Sequence, residues 1–314
     1  MQWEDRIGRR LRLRDVHILH AAVQCGSMAK AAERLAISHP VVSKTIADLE
    51  RALGVRLLER SRQGVEPTPY GNAVLKHGLA AFDELKQCVK EIEFLADPAA
   101  GELRIGSIIP LAANFVSAVI DRLSRRYPRI VFHLVTAHVE ALRRDLGERN
   151  VDLLIARRFG LFTDGQCNFE TLYDDSYVVV AGAQNPWARR RRIALAELVN
   201  EPWALPPPES AIGVAATEAF RASGLDHPRV TVITIPYEVR SSLLATGRFL
   251  TILPTSALGI STKRLELKVL PVELPLARVP IGIVNLKNRT PSPIARLFIE
   301  HAREVAKPLA KLRQ

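Results

Sequence analysis

Apolar positions near the start of the chain recur at helical spacing in three successive segments. The first spans residues 13–23, the second is "MAKAAERLA" with small residues on one face, and the third follows Pro40. Spacings of three and four residues are typical of amphipathic helices. Gly26 can end the first helix, while Ser27 and Ser38 are suited to cap the next two. The pattern therefore predicts a helix followed by two short helices joined by a tight turn.

The second and third helices have the arrangement of a helix-turn-helix hairpin, in which the later helix enters the major groove of DNA. The side chains that begin this helix are short, polar or cationic, which suits contacts with base edges and phosphates. They are Ser38, His39, Pro40, Ser43, Lys44 and Thr45. An ordinary αα-hairpin in a helical core has the same spacing, and at this point it stays open as the alternative.

The next segment, "GVRLLERSRQGVEPTPYG", contains two short strand patterns joined by a basic turn with glycine. A Thr-Pro pair then starts another helix. We interpret the two strands as a small β-wing beside the hairpin, with Arg56, Arg60 and Arg62 facing phosphates. A solvated basic loop is the alternative.

A heptad seam follows the wing between Tyr70 and Leu95, where apolar positions alternate spacings of three and four. A small winged head cannot cover the whole of such a seam, so the pattern predicts a dimerisation helix. The residues expected in the dimer contact are Leu75, Phe82, Leu85, Val89 and Ile92. A helix packed on its own protein is the alternative.

Beyond "ADPAAG" (96–101), short apolar strands alternate with amphipathic helices to the end of the chain. Strand patterns include "LRIGSII", "IVFHLV", "VDLLIA" and "FLTILP". This alternation predicts α/β domains with largely parallel sheets. The fold class expected for the chain is thus α/β with an all-α winged head and a long connecting helix.

Composition narrows the class of protein. The 314 residues allow about two domains, and no apolar run is long enough to span a membrane. The charged start is not a secretory signal, and three scattered cysteines fit a reducing cytoplasm. The net charge of +11 favours nucleic acid as a partner. Since residues 1–69 carry +4 and the remainder +7, charge alone does not locate the binding surface.

Enzymatic motifs are weak in this sequence. "SMAK" (27–30) matches a Ser-x-x-Lys pattern but lacks companion motifs, and no P-loop or GxGxxG occurs. His17 and His20 have no third metal ligand nearby in sequence, and Cys167 alone cannot form an intramolecular disulfide. We therefore expect no catalytic residues, no metal and no cofactor.

The run "SMAKAAERLAISHPVVSKTIADLERALGVRLLERSRQGVEPTPYG" resembles the LysR-type transcriptional regulators. The resemblance rests on the helix-turn-helix, a Leu-Glu pair (49–50), a Leu-Gly pair (53–54), the wing and a Thr-x-x-Gly start to the linker helix (68–71). His39 stands where glutamine is common, and Leu58 where phenylalanine is common. The segments "LRLRDVHILHA" and "VDLLIAR" are similar to the branch that regulates sugar-binding-protein and aromatic-acid genes.

The resemblance implies a cytoplasmic, ligand-responsive DNA-binding regulator with three parts. These are a winged helix-turn-helix (1–69), a linker helix with a hinge (70–101), and a periplasmic-binding-protein-like effector domain (102–314). Within the last, subdomain I is expected over 102–162 and 267–314 and subdomain II over 163–266. The implied partners are a double-stranded operator, a second copy or a tetramer of this chain, and a small organic acid or sugar. RNA polymerase is a further candidate partner, and no membrane is expected.

Effector contacts are expected at the carboxyl ends of strands, where open α/β sheets bind small ligands. The candidates are Ser107, Ile108, Thr136, His138, Arg157, Trp203 and Ser210. Ser107 also suits a helix cap, and His138 stands where the family often has a small polar effector contact. Arg157 ends a buried strand, where a cation is costly without a partner. It either binds an anionic or polyhydroxylated effector or pairs with an internal carboxylate.

Two further interpretations concern a basic run and the class of the whole protein. The run Arg189–Arg192 is expected to be a solvated face. The alternative to a regulator is a cytosolic α/β ligand-binding protein or enzyme with an incidental helical head.

Overall fold

The computed structural model describes residues 11–61, 64–158, 165–258 and 266–311, and the chain divides into two compact units at Leu95/Ala96. The described part of the first unit contains three short helices, a two-stranded antiparallel wing and one long helix that runs to the end of the unit. These elements are α1 (Leu13–Cys25), α2 (Met28–Arg34), α3 (His39–Leu53), β1 (Leu58–Ser61), β2 (Gly64–Pro67) and α4 (Pro69–Ala96).

Local signals set the ends of the short helices. Gly26 ends α1 with a φ of 60°, a left-handed conformation that favours glycine. Ser27 caps α2 by accepting a hydrogen bond from the backbone N–H of Lys30 at 3.5 Å. Ser38 occupies the same position before α3, but its side chain does not cap that helix. Backbone hydrogen bonds close the turn between α2 and α3, from the Ala36 N–H to the Glu33 carbonyl at 3.1 Å and from the Ile37 N–H to the Ala32 carbonyl at 3.0 Å.

Two polar side chains attach the wing to the helices. Glu50 of α3 accepts hydrogen bonds from the backbone N–H groups of Leu57 and Leu58, at 2.7 and 3.3 Å. Thr68 donates to the Arg56 carbonyl at 2.7 Å and caps α4 by accepting from the Gly71 N–H at 3.0 Å. These contacts give a physical reason for the Leu-Glu pair and the Thr-x-x-Gly segment seen in the sequence.

The apolar seam of α4 has two different halves. Leu75 is buried in the core of the first unit, and Phe82 lies with its ring centroid 5.7 Å from that of His17. A Cβ on Gly78 would meet Val16 at 2.2 Å, so glycine permits the close approach of α1. The later apolar residues are more than half exposed: Leu85, Val89, Ile92 and Leu95. The prediction that Leu75 forms a dimer contact is wrong, because its own unit covers it.

The described residues of the second unit form two five-stranded sheets. The first has the order β4-β3-β5-β12-β6, and the second has the order β11-β7-β10-β8-β9. The strands of the first sheet are β3 (Ala100–Ser107), β4 (Arg129–Thr136), β5 (Leu153–Arg157), β6 (Cys167–Asp175) and β12 (Val279–Leu286). Those of the second are β7 (Tyr177–Gly182), β8 (Trp203–Leu205), β9 (Val230–Ile233), β10 (Leu250–Pro254) and β11 (Leu267–Val269).

Helices cover these sheets. They are α5 (Ile109–Leu111) with a π-helical turn (Ala112–Val116), α6 (Ser117–Arg126), α7 (Val139–Gly147), α8 (Ala211–Ala222), α9 (Tyr237–Ala245) and α10 (Pro293–Lys311). Short 3₁₀ turns occur at Pro186–Arg189, Leu195–Leu198 and Thr255–Ala257. A winged head and a two-sheet α/β unit confirm the predicted fold class.

The sheets are mixed rather than largely parallel. Strand β3 is parallel to β4 and β5, and β8 is parallel to β9 and β10, but β12 and β7 run antiparallel to their neighbours. The expectation of largely parallel sheets is therefore wrong. The antiparallel strands arise because the chain passes from one sheet to the other and returns.

The chain changes sheets at other positions than expected. It leaves the first sheet after Asp175 and returns between Val269 and Val279. The predicted crossings near residues 162 and 267 are wrong, because β6 pairs with β12 and β11 pairs with β7. Subdomain I accordingly includes residues 167–175, and subdomain II includes residues 267–269.

Candidate DNA-binding surface and effector region

The N-terminal end of α3 presents the predicted recognition residues to solvent. Its inner face is buried in the core of the first unit through Val42, Ile46 and Leu49. On the outer face, Ser38, His39, Pro40 and Lys44 are exposed, and Ser43 and Thr45 are half-buried. The structure thus brings all six together on one end of one helix, with the apolar side held by α1 and α2.

A groove separates this end of α3 from the wing. It has a volume of about 280 Å³ and is lined by His39, Arg60, Ser61 and the start of α2. Arg56 and Arg60 are both exposed on the wing side. Arg62 lies outside the described residues. An exposed helix start with positive side chains beside it favours negatively charged groups such as DNA phosphates.

The carboxyl ends of three parallel strands lie side by side in the first sheet of the second unit. Ser107 at the end of β3 pairs in register with Thr136 of β4 and with Ile155 of β5. Thr136 and His138 are exposed, and Ile108 is half-buried. These three side chains form an accessible rim at the edge where a small ligand was expected.

Two predicted effector contacts are serines that make structural hydrogen bonds. Ser107 is fully buried, and its hydroxyl donates to the Ile155 carbonyl at 2.9 Å. Ser210 caps α8 by accepting from the Gly213 N–H at 3.1 Å and donates to the Pro207 carbonyl at 2.7 Å. The effector role expected for Ser107 is wrong, because its hydroxyl is fully buried. Ser210 is half-buried, and its effector contact stays a prediction.

Trp203 as an effector contact is also a wrong prediction. Its side chain is fully buried in the apolar core of the second sheet, where it meets Phe220 edge-on with centroids 5.4 Å apart. The indole N–H donates to the Leu198 carbonyl at 2.8 Å. Trp203 is therefore a core residue, because no part of it reaches the surface.

Arg157 pairs with an internal carboxylate, which is the second of its two predicted alternatives. Its Nε and Nη2 atoms donate to Asp175 Oδ2 at 3.3 and 3.2 Å, and its Nη2 also donates to Ser256 Oγ at 2.6 Å. Both charged side chains are buried. The pairing arises because Arg157 and Asp175 lie on strands that flank β12. Arg157 as an effector contact is thus a wrong prediction.

Asp175 joins the two sheets of the unit. It accepts hydrogen bonds from the Thr255 hydroxyl at 2.6 Å and from the Ser256 hydroxyl and backbone N–H at 2.6 and 2.9 Å. These partners follow β10 of the second sheet, whereas Asp175 ends β6 of the first. Burial raises the pKa of the adjacent Tyr177, so its phenol stays protonated at neutral pH. Asp175 and Ser256 were not predicted from the sequence, since nothing in their local pattern marks them.

The described part of the chain holds no cluster of three or more His, Cys, Asp or Glu placed to bind a metal ion. Across the same residues, no helix is long and apolar enough to cross a membrane.

A winged helix-turn-helix followed by a two-sheet α/β unit defines the class of the protein: a DNA-binding regulator with a ligand-binding domain.

Comparison with known proteins places the chain in a family. Residues 13–72 match the bacterial regulatory helix-turn-helix domain of the LysR family, and residues 96–307 match the LysR substrate-binding domain. The chain therefore belongs to the LysR family and is a DNA-binding transcriptional regulator with a domain for small-molecule effectors.

Individual relatives are distant but similar over most of their length. The chain is 27% identical to the regulator GbpR of Azospirillum brasilense, over 91% of this chain and 84% of that protein. It is 25% identical to PcaQ of Agrobacterium fabrum, over 96% of each chain. These relatives are transcriptional regulators rather than enzymes.

Solved structures share the fold. A full-length OxyR variant from Pseudomonas aeruginosa superposes with a TM-score of 0.70 and 23% identity, over 95% of this chain and 97% of that chain. Full-length CbnR in complex with its target DNA has a TM-score of 0.56 and 21% identity, over 94% of this chain and all of that chain.

Proposed function

We propose that α3 and the wing of the first unit recognise an operator, with Ser43 and Lys44 contacting bases. The observation that carries this proposal is the polar N-terminal end of α3, exposed beside a basic groove while its inner face is buried. Ser38, His39, Pro40 and Thr45 complete the contact surface, and Arg56, Arg60 and Arg62 contact phosphates. RNA polymerase is a further proposed partner, and the regulator acts in the cytoplasm with the chromosome.

Alanine substitution on α3 tests this proposal. Ser43→Ala and Lys44→Ala should each weaken operator binding by about 1–3 kcal/mol, because a lost base contact leaves its partner unsatisfied. The measurement is a gel-shift titration at fixed salt with the intergenic DNA upstream of the gene. Arg51→Ala is a matched control, since Arg51 is exposed at the opposite end of α3 and pairs with Asp48 at 2.7 Å. Unchanged operator affinity in both Ser43 and Lys44 variants would remove them from the interface.

We further propose that the exposed half of the α4 seam pairs with a second copy of the chain. Leu85, Val89 and Ile92 form a stripe at heptad spacing that the described residues of its own unit leave more than half exposed. Phe82, half-buried against His17, lies at the edge of this stripe. The interface supplies the two DNA-binding heads that an interrupted palindrome requires.

A buried charge on the stripe tests the assembly. Leu85→Glu should shift the protein towards monomer, because an unpaired carboxylate in an apolar interface costs several kcal/mol, on the order of 3–5. Analytical ultracentrifugation measures the change. Glu91→Lys is the control, since Glu91 is exposed on the same helix away from the stripe. An oligomer that persists in Leu85→Glu would contradict the proposed interface.

We propose that the effector is a small organic acid or sugar that contacts Thr136, His138 and Ile108 at the rim of the first sheet. The support is their accessibility at adjacent strand ends. The proposed division of labour assigns DNA binding to residues 1–69, the link to 70–101 and effector binding to 102–314.

A further inference from the structure

Among the described residues of the second unit, three arginines are buried, and they differ in how their charge is neutralised. Arg157 pairs with Asp175 at 3.2 Å, and Arg289 pairs with Asp152 at 2.8 Å. The third, Arg240 of α9, is only 3% exposed and forms no ion pair with any carboxylate of the described residues. Burying a guanidinium without a counter-charge costs folding free energy. The unpaired charge of Arg240 therefore needs an explanation that Arg157 and Arg289 do not.

The contacts of Arg240 are few. Its one hydrogen bond within the described chain runs from Nη1 to Thr251 Oγ1 at 3.5 Å, and the Thr251 hydroxyl itself donates to the Ala204 carbonyl at 2.6 Å. The buried Nε of Arg240 and the buried hydroxyl of Ser241 have no hydrogen-bond partner among the residues that the structure describes. Two buried polar groups on consecutive residues of α9 are thus without a hydrogen-bond partner in the described structure.

Arg240 stays positively charged in this environment. Burial lowers its pKa to about 10, while the nearby Tyr237 and Glu238 act in the opposite direction. Glu238 is exposed and forms no ion pair with Arg240 in the described structure. Since a pKa near 10 leaves the guanidinium protonated at neutral pH, the site carries a positive charge that no ion pair of the described residues neutralises.

The position of Arg240 adds to this positive potential. It lies in the first turn of α9, a nine-residue helix that begins with Pro236 as a cap residue without a capping side chain. The first backbone N–H groups of such a helix favour an anion. Because β8, β9 and β10 are parallel and α9 follows β9, this turn lies at the carboxyl edge of the second sheet. Open α/β sheets bind ligands at that edge.

We propose that Arg240 and Ser241, together with the first turn of α9, bind the anionic group of the effector, a carboxylate or a phosphate. The inference rests on the proposed effector-binding role of the second unit and adds the charge of the ligand to it. An anion at this site offsets the buried charge, gives Nε an acceptor and gives the Ser241 hydroxyl a partner. Arg157 and Arg289 are not available to bind a ligand anion in this way, because each already forms an ion pair with an aspartate.

Thermal melting of the full chain with simple anions tests the site. Benzoate and inorganic phosphate are compared with sodium chloride at equal ionic strength. We expect one of the two to raise the Tm of the wild type, because a ligand that binds only the folded state stabilises it. The anion that does so identifies the group as carboxylate or phosphate.

Variants locate the effect. Arg240→Met should weaken the binding of the stabilising anion roughly 10- to 100-fold, since charge-assisted hydrogen bonds are lost. Arg248→Gln, which changes an exposed arginine of the same subdomain, should leave it unchanged. If neither anion stabilises the wild type beyond chloride, or if Arg240→Met responds as the wild type does, the inference is wrong.

The ligand-free protein provides a second test. Arg240→Met should melt at or above the wild-type Tm, whereas Arg157→Met should melt below it, because only Arg157 has a carboxylate partner. A Tm loss in Arg240→Met as large as that in Arg157→Met would show that its charge is already compensated, and would overturn the inference. Gel shifts on the same variants test the proposed operator binding separately, because that binding depends on the first unit. Operator binding can therefore fail or hold independently of the anion site.

Discussion

Arg157 and Arg240 are nearly equally buried, at 4% and 3% exposure, yet their surroundings differ sharply. Arg157 lies where the chain passes between the two sheets, and its guanidinium contacts Asp175 and Ser256 there. Arg240 lies between α9 and the second sheet, with the Thr251 hydroxyl as its hydrogen-bond partner. Burial alone therefore does not show whether a buried arginine has a structural role. A carboxylate partner, which Arg157 has and Arg240 lacks in the described structure, distinguishes the two.

The Arg157 cluster connects the two halves of the effector-binding unit. Asp175 receives hydrogen bonds from residues after β10, and the Asn114 side chain donates to the Ser256 carbonyl at 3.0 Å. Each charged or polar atom in this cluster therefore has a structural task. At Arg240, by contrast, Nε has no hydrogen-bond partner among the described residues, and the proposed anion site rests on this unused donor.

The largest effect is expected when the Arg157 cluster is broken from the carboxylate side. Asp175→Ala should lower the free energy of unfolding by about 3–5 kcal/mol, because it leaves a buried guanidinium without its partner. Urea denaturation measures the loss. Asp121→Ala is the matched control, since the Asp121–Arg125 pair is largely solvent-exposed and should contribute about 1 kcal/mol or less. If both variants lost the same free energy of unfolding, the buried pair would contribute no more to stability than the exposed pair, and the prediction would be wrong.

Two buried serines allow the same comparison at a smaller scale. Ser256→Ala should cost about 1–3 kcal/mol, because Asp175 loses a donor and Arg157 loses an acceptor. Ser241→Ala should be neutral or slightly stabilising, because its buried hydroxyl has no partner in the described structure. The check is urea denaturation without added anions. A clear loss of stability in Ser241→Ala would mean that its hydroxyl is already satisfied.

The smallest effect on stability is expected from the protonation of His20 of α1, a half-buried histidine near other basic side chains. Burial lowers its pKa below 6.5, and the neighbouring His17, Arg34 and Lys86 lower it further. As the pH falls below 6.5, the unfolded chain binds the proton first, so the folded state loses stability. His20→Gln should lessen this acid loss, measured as Tm against pH down to about pH 5. If the Tm of the variant fell with pH as much as that of the wild type, protonation of His20 would not be the cause of the acid loss.

Parts of the structure followed directly from local sequence patterns. Helical spacing, the glycine at position 26 and the serine at position 27 predicted α1 and α2, and the Thr-x-x-Gly segment marked the start of α4. Strand β6 was not predicted, because it lies at the edge of its sheet and most of its residues are polar, with only Tyr173 and Asp175 buried. A fully buried strand such as β5 is instead a nearly continuous apolar run, which is easier to recognise in the sequence.

The α4 seam shows where a correct pattern leaves the partner undecided. Heptad spacing is continuous from Leu75 to Ile92, yet the first half packs on α1 and the second half is exposed. The spacing of apolar residues specifies that a helix face will be covered. It does not specify whether the cover comes from the same unit or from another copy, since both present the same apolar surface.

The sequence by itself determined the winged helix-turn-helix, the long helix and the α/β class, because these depend on spacings within about a dozen residues. Only the tertiary structure decided which buried arginine is neutralised. Asp175 is 18 residues from Arg157 and Ser256 is 99 residues away, and strand pairing brings them together. Arg240 has no such partner within the described chain, and its sequence neighbourhood gives no sign of the difference. Charge compensation in a core depends on long-range packing, which local patterns do not encode.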